Sequence, residues 1–200
     1  MSAPIEFYFD FSSPYAYFAS HGIDAVAAEF GRPCLWKPML LGPAFKASGN
    51  QRLVDQPLKG AYALHDWLRL GRMLNLPYRH PDPFPVATTA AARVFWWLEA
   101  TDSTRAKAFA RAVFAAYFAE GRNISDEDVV AGLAEGQGQD RQSAVDAMRD
   151  PRWKDRCRSE TEAAIARGVF GAPFFFVGGE GFWGSDRLEM LRSWLGRGGW

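Results

Sequence analysis

Residues 5–11 read IEFYFDF, and the run stops at once on Ser12-Ser13-Pro14. A short aromatic stretch with near alternation fits a buried strand better than a helix. Proline is favoured at the first helical position, and a serine just before it is a natural N-cap. A helix is therefore expected from Ser13 through Tyr17, Ala19, Ile23, Val26 and Ala27 toward Gly31. After Gly31-Arg32-Pro33, residues 34–39 (CLWKPM) read as a second strand. Strand, helix and strand in so short a span close a βαβ unit, which demands parallel pairing and a right-handed crossover. The chain opens as an α/β protein.

The middle of the chain changes period. From 58 to 168, Ala, Leu, Arg, Trp and Phe recur at three- and four-residue spacing, as in Phe109, Val113, Phe114, Tyr117 and Phe118. Breaks fall at 80–85 (HPDPFP), 121–123, 136–139 and Asp150-Pro151. Ser125, followed by Asp126-Glu127-Asp128, makes a good helix start, because acidic residues there complement the helix dipole. These segments predict an all-helical insert of five or six helices. Strand-like sequence returns at 173–177 (PFFFV), and a Gly178-Gly179-Glu180-Gly181 turn before Phe182-Trp183 suggests a hairpin. A final helix is expected from Ser185-Asp186, burying Leu188, Leu191, Trp194 and Leu195. The order is βαβ, helices, ββα, so a small α/β domain (1–45 plus 169–200) is split by a helical insertion (46–168).

Composition removes several function classes. At roughly 150 residues per domain, a chain of 200 holds one domain with an insertion. Lys and Arg number 23 against 23 Asp and Glu, without blocks of like charge, which argues against nucleic acid as a partner. Cys34 and Cys157 belong to no C-x-x-C or metal-spaced pattern, so a disulfide scaffold, a zinc site and dithiol redox chemistry are not expected. They read as small buried hydrophobes. His21, His65 and His80 form no metal pair and no triad order. No stretch approaches the ~20 apolar residues of a membrane span, and the N-terminus lacks a signal peptide's pattern. A soluble, cytoplasmic protein without a membrane partner is expected.

The element order resembles the thioredoxin fold with a helical domain spliced between its halves, as in the DsbA-like group. In redox members the first helix opens with C-x-x-C. Here the matching stretch is Ser12-Ser13-Pro14-Tyr15, which holds no sulfur, so thiol–disulfide exchange by the chain's own residues is excluded. Four motifs narrow the likeness: Phe9-Asp10-Phe11-Ser12-Ser13-Pro14-Tyr15, Lys46-Ala47-Ser48-Gly49-Asn50, Gly171-Ala172-Pro173, and Phe182-Trp183-Gly184-Ser185-Asp186-Arg187-Leu188. Together, in this order, they are similar to two glutathione-using groups, the kappa-class glutathione transferases and the 2-hydroxychromene-2-carboxylate isomerases. The resemblance implies glutathione as the cofactor that brings the missing sulfur, and a homodimer.

The residues can be weighed one by one. A helix N-terminus favours an anion, and Ser13 could donate its hydroxyl to a thiolate there, with Pro14 and Tyr15 beside it. The plain reading of Ser13 is an N-cap, which uses the same geometry. By resemblance, Ala172–Pro173 is a cis bond that leaves the main chain of Ala172 free to pair with the cysteinyl part of glutathione; the plain alternative is a trans proline opening an edge strand. Ser185 could cap the last helix and hold the γ-glutamyl carboxylate, Asp186 could pair with its ammonium, and Trp183 stands next to both. Asn50 offers a donor and an acceptor to the peptide, or is a turn-former. Lys46 resembles the isomerases' lysine near the substrate carboxylate, or is an ordinary surface lysine. Arg52 follows where the isomerases carry an asparagine-arginine pair, and Phe84 stands at their aromatic contact in the proline-rich loop, without a hydroxyl.

These residues should converge in a cleft between the α/β domain and the helical insert. The activity implied by the resemblance is a glutathione-dependent cis–trans isomerase of bacterial aromatic-compound degradation. It would interconvert 2-hydroxychromene-2-carboxylate and trans-o-hydroxybenzylidenepyruvate, or act on a related aromatic keto acid. A kappa-type conjugating transferase and a non-catalytic thioredoxin-like binding module are the alternatives.

Overall fold

The computed structural model describes residues 3–200. Strands β1 (Ile5–Phe9), β2 (Cys34–Pro38), β3 (Phe174–Val177) and β4 (Glu180–Trp183) form one sheet in the order β2-β1-β3-β4. β1 pairs parallel to β2, with Ile5 opposite Cys34, and antiparallel to β3, with Ile5 opposite Val177. Its central place explains its sequence. Successive side chains point to opposite faces, and both faces are covered: Ile5, Phe7 and Phe9 enter the main core, while Tyr8 packs on the other side with Met39, Ala164, Phe174 and Phe176.

The strand ends at Phe9, two residues before the end of the aromatic run, because the chain turns at Asp10, whose carbonyl accepts the Ser13 N–H at 3.0 Å. The helix expected to run unbroken toward Gly31 is two helices, α1 (Pro14–Ser20) and α2 (Ile23–Glu29). Gly22 stands at the joint as the residue before α2, where a side chain would lie 3.2 Å from Leu188 Cδ1 of the C-terminal helix.

After β2 comes α3 (Leu41–Ser48), a helix the sequence reading omits, and the expected domain boundary between 45 and 46 falls inside it. It closes on Gly49 at φ 75°, the left-handed cap that glycine adopts without cost. A single 3-10 turn (Leu53–Asp55) leads to α4 (Lys59–Leu74), α5 (Thr89–Glu99), α6 (Ser103–Phe118), α7 (Glu127–Glu135), α8 (Arg141–Arg149) and α9 (Pro151–Ala166). These are six helices among the described residues of the expected helical stretch. Aspartates start the last four: Asp102, Asp126, Asp140 and Asp150 each accept a backbone N–H of the first turn. Asp126, one residue after Ser125, is the cap of α7.

The C-terminal hairpin turns more tightly than expected. Gly178 and Gly179 alone make the turn, at φ 57° and 96°, and Glu180 already pairs with Val177. The last helix is also displaced: a 3-10 turn (Ser185–Arg187) precedes α10 (Leu188–Arg197), and no side chain, Ser185 included, caps either. Of its expected buried residues Leu191 is buried, whereas Leu188, Trp194 and Leu195 are half-buried. Among the described residues no helix is long and apolar enough to cross a membrane.

The helices grip the sheet through aromatic rings. Phe114 of α6 meets Phe9 at 5.5 Å, Phe11 at 5.3 Å and Tyr17 at 6.2 Å, measured between ring centroids. Cys34 and Cys157 are free thiols in this interior, pushed up by burial to about 12 and about 11, which leaves them inert. Phe114→Ala removes a ring shared by β1, α1 and α6, and is expected to lower stability by about 3–5 kcal/mol in urea unfolding. A loss below about 1 kcal/mol would mean that the helices are not anchored to the sheet there.

Candidate functional site

The C-terminal end of β1 carries a buried carboxylate. Asp10 is only 4% exposed, and four donors converge on it. Oδ1 accepts the Ser12 N–H at 2.9 Å, the Ser12 hydroxyl at 3.0 Å and the Thr88 hydroxyl at 3.0 Å, while Oδ2 accepts the Leu41 N–H at 2.8 Å. Burial pushes the Asp10 carboxyl up, and these hydrogen bonds oppose the rise. The donors belong to the loop before α1, the start of α3 and the cap of α5. Asp10 thus joins three segments that line one cleft. Sequence reasoning gave it no role, although a lone acid closing a buried aromatic strand was the available signal.

Three residues on, Ser13 does two jobs. Its Oγ accepts the Ala16 N–H at 3.2 Å as the N-cap of α1, and its hydroxyl donates to the Ala172 carbonyl at 3.0 Å. The Ala172–Pro173 bond is cis. In the first turn of α1, Pro14 has no N–H, the Ala16 N–H is capped, and the Tyr17 N–H bonds to the Ser13 carbonyl. The Tyr15 N–H is the remaining donor, at a position where a helix supplies no acceptor of its own. The Tyr15 hydroxyl donates to Asp66 Oδ2 of α4 at 3.0 Å.

Ser13 and Ala172 lie in a cleft of about 1100 Å³. Of the residues singled out from sequence, Ser13, Pro14, Tyr15, Asn50, Arg52, Phe84, Ala172, Trp183, Ser185 and Asp186 all line it. Asn50 donates its side-chain N–H to the Phe170 carbonyl at 3.2 Å, tying the loop after α3 to the approach of β3. Phe84, flanked by cis bonds at Pro83 and Pro85, meets Trp67 at 5.5 Å. Trp183 packs edge-on against Phe170 at 4.8 Å and leans over Gly171, where a Cβ would come within 2.6 Å of its Nε1. A glycine is required there.

Lys46 is a correction. It is exposed in the last turn of α3 and does not line the cleft. Its side chain is exposed to solvent, whereas Phe45 beside it stands half-buried on the cleft wall. The cations that do line it are Arg52, Lys59 at the start of α4, and Arg187. Sequence reasoning missed the last two. Arg52 is held by Asp55 at 2.6 Å and Arg187 by Asp186 at 2.8 Å, so charged pairs mark the rim. Phe45, Leu53, Val54, Trp67, Leu70 and Val86 make the opposite, apolar lining. The cleft therefore offers two donors for an anion at the α1 terminus, a main-chain partner at Ala172, a paired acid and base at 186–187, and an apolar wall.

Fold and site together define a thioredoxin-like protein whose first helix opens on serine where the redox members carry cysteine. The sequence matches the family model of the DSBA-like thioredoxin domain over residues 4–196. The 2-hydroxychromene-2-carboxylate isomerase of Sphingobium xenophagum is 31% identical over 199 residues, covering 98% of this chain and 99% of the relative. A glutathione S-transferase kappa 2 of Caenorhabditis elegans is 26% identical over 204 residues, covering 96% and 91%. A solved structure of 2-hydroxychromene-2-carboxylate isomerase superposes with a TM-score of 0.88 at 30% identity, over 96% of this chain and 94% of that one. The chain belongs to the DsbA-like thioredoxin-domain family and, within it, to the enzymes named 2-hydroxychromene-2-carboxylate isomerase.

Thr88→Val keeps the shape of the α5 cap but takes one donor from Asp10. A loss of about 1.5–3 kcal/mol is expected, the range for a hydrogen bond to a charged group. Urea midpoints equal to those of the parent would show that Asp10 does not depend on this bond.

Proposed function

We propose that the enzyme is a glutathione-dependent cis–trans isomerase acting on 2-hydroxychromene-2-carboxylate or a related aromatic keto acid. The observation that carries this reading is Ser13 at the start of α1, beside Ala172, in a cleft that neither Cys34 nor Cys157 lines. A thiolate donor site without a thiol calls for one that arrives with a ligand. Glutathione fits the residues present. The Ser13 hydroxyl and the Tyr15 N–H are donors for its sulfur, and the helix end adds roughly half a positive charge. The Ala172 main chain suits its cysteinyl amide. Asp186 complements the ammonium of the γ-glutamyl head, and Ser185 with Arg187 its carboxylate. Asn50 and Trp183 flank the same end of the cleft.

When bound, glutathione supplies the nucleophilic sulfur that adds reversibly to a conjugated double bond, so that the former double bond can rotate. The protein's part is to hold that sulfur as an anion, which one or two charge-assisted hydrogen bonds achieve near neutral pH. Arg52 and Lys59 face the cleft where a substrate carboxylate and the negative charge developing on the carbonyl oxygen need a cation, the role first assigned to Lys46. Phe84, Trp67 and their apolar neighbours suit an aromatic ring. The division into a thioredoxin-like part (1–45 with 169–200) and a helical part (46–168) would place this ring between the two. Exposed apolar side chains along α4, Tyr62, Leu68 and Met73, suit a homodimer, and two free cysteines suit a reducing compartment such as the cytoplasm.

Incubation with reduced glutathione and 2-hydroxychromene-2-carboxylate tests the reaction. The product is expected to keep the substrate's mass, with glutathione undiminished. A product heavier by one glutathione would establish the kappa-type transferase instead. Unchanged substrate would reject this substrate for the enzyme. In the same assay Lys59→Ala is expected to raise KM about tenfold, the worth of one charged contact, while Lys46→Ala leaves it unchanged; the reverse pattern would restore Lys46 to the site.

A further inference from the structure

The Ser13 hydroxyl has one proton, and its hydrogen-bond partners assign its direction. Oγ already accepts the Ala16 N–H, and the proton points at the Ala172 carbonyl, 3.0 Å away. Ser13 is 5% exposed, so little water reaches it. To donate to a sulfur anion, the hydroxyl must turn from Ala172. That leaves a half-buried carbonyl in the cleft wall without its protein donor, and a polar group that loses a hydrogen bond on ligand entry is costly unless the ligand replaces it. The turn becomes favourable when something else donates to that carbonyl.

From this exchange we propose that the Ser13–Ala172 hydrogen bond acts as a latch that selects the class of thiol the site activates. A thiol carried on an N-acylated cysteinyl unit brings an amide N–H close to its sulfur. Once that N–H is given to the Ala172 carbonyl, the Ser13 proton is released toward the sulfur. A thiol with no such N–H leaves the proton where it is, and its sulfur ionises less readily. The helix terminus alone then stabilises the anion, with the Tyr15 N–H as its single hydrogen bond. Selectivity for peptidyl thiols over small free thiols therefore comes from one hydroxyl changing partners. The exchange needs only a side-chain rotation, and the Gly184 N–H holds the neighbouring Pro173 carbonyl at 3.0 Å.

This inference rests on the glutathione reading of the cleft, and one experiment separates the two. Reduced glutathione and its ester-linked analogue, in which oxygen replaces the cysteinyl N–H, are each titrated with acid while bound, and the thiolate is followed by its ultraviolet absorbance. Bound glutathione is expected to ionise about one pH unit below the bound analogue, a tenfold difference. In Ser13→Ala, or in Ser13→Gly, which keeps an acceptable helix cap, that difference is expected to vanish. Equal ionisation of the two ligands in the parent protein would overturn the latch and leave the glutathione site standing. So would a difference that survives in both variants, since no hydroxyl remains to be released. An analogue that fails to bind at all would also overturn it, because the latch leaves every other contact of the ligand intact. Failure of glutathione itself to bind would instead reject the reading on which the latch rests.

Discussion

The Asp10 carboxylate is the pin on which the cleft turns. A carboxylate 4% exposed is tolerable only when its lone pairs are used. Here they are used by three different parts of the chain. The Ser12 bonds fix the loop that delivers Ser13 to the start of α1, the Leu41 bond starts α3, and the Thr88 bond sets the entry of α5. One charge thus places the donor end of the cleft and two of its walls. Asp10 directly follows the strand that stacks Phe7 on Phe175 and packs Phe9 at a tilt against Phe114, so the core and the site share one stretch of chain.

From that pin follows the chemistry. A thioredoxin-like helix start is an anion site by construction, through its unpaired N–H groups and dipole. Where related folds carry cysteine, this chain places Ser13, which can donate a hydrogen bond but brings no sulfur. The Ser13 side chain reaches across 159 positions to Ala172, so both halves of the thioredoxin-like part meet at one hydroxyl. The helical stretch adds what the small sheet lacks, an apolar wall and the cations Arg52 and Lys59. Arg187 and Asp186 close the other end as a charge pair that a zwitterionic head could enter.

Much of this was legible in the sequence, for physical reasons that can be named. β1 announced itself because a strand buried on both faces cannot carry a polar alternation. The helices of the insert announced themselves through apolar side chains at three- and four-residue spacing and through glycine or proline breaks, whereas their aspartate caps came with the structure. Ser13, Ala172 and Asp186 stood out because a serine before a proline has a local signature and because the other two sit in motifs that resemble those of the isomerases; all three line the cleft. What stayed hidden depended on contacts distant in sequence. The joint at Gly22 packs against Leu188, a residue 166 positions away. α3 was masked by Gly42 and Pro43, which look like loop residues yet are tolerated in a first helical turn. Lys46 and Lys59 flank one polar loop, Lys46 in the last turn of α3 and Lys59 at the start of α4, and only the fold decides which of them lines the cleft. Asp10 reads as one acid in an aromatic run until the Leu41 and Thr88 donors, from distant segments, are seen beside those of Ser12.

The central claim is that the cleft binds reduced glutathione and holds its sulfur as an anion at Ser13. Calorimetric titration of the protein with reduced glutathione at neutral pH, with the ultraviolet thiolate signal recorded on the same samples, tests it most directly. The account predicts saturable binding accompanied by a thiolate signal that free glutathione lacks at that pH. No heat and no thiolate signal at millimolar glutathione would contradict it, and would leave a thioredoxin-like module that kept the fold and lost the ligand.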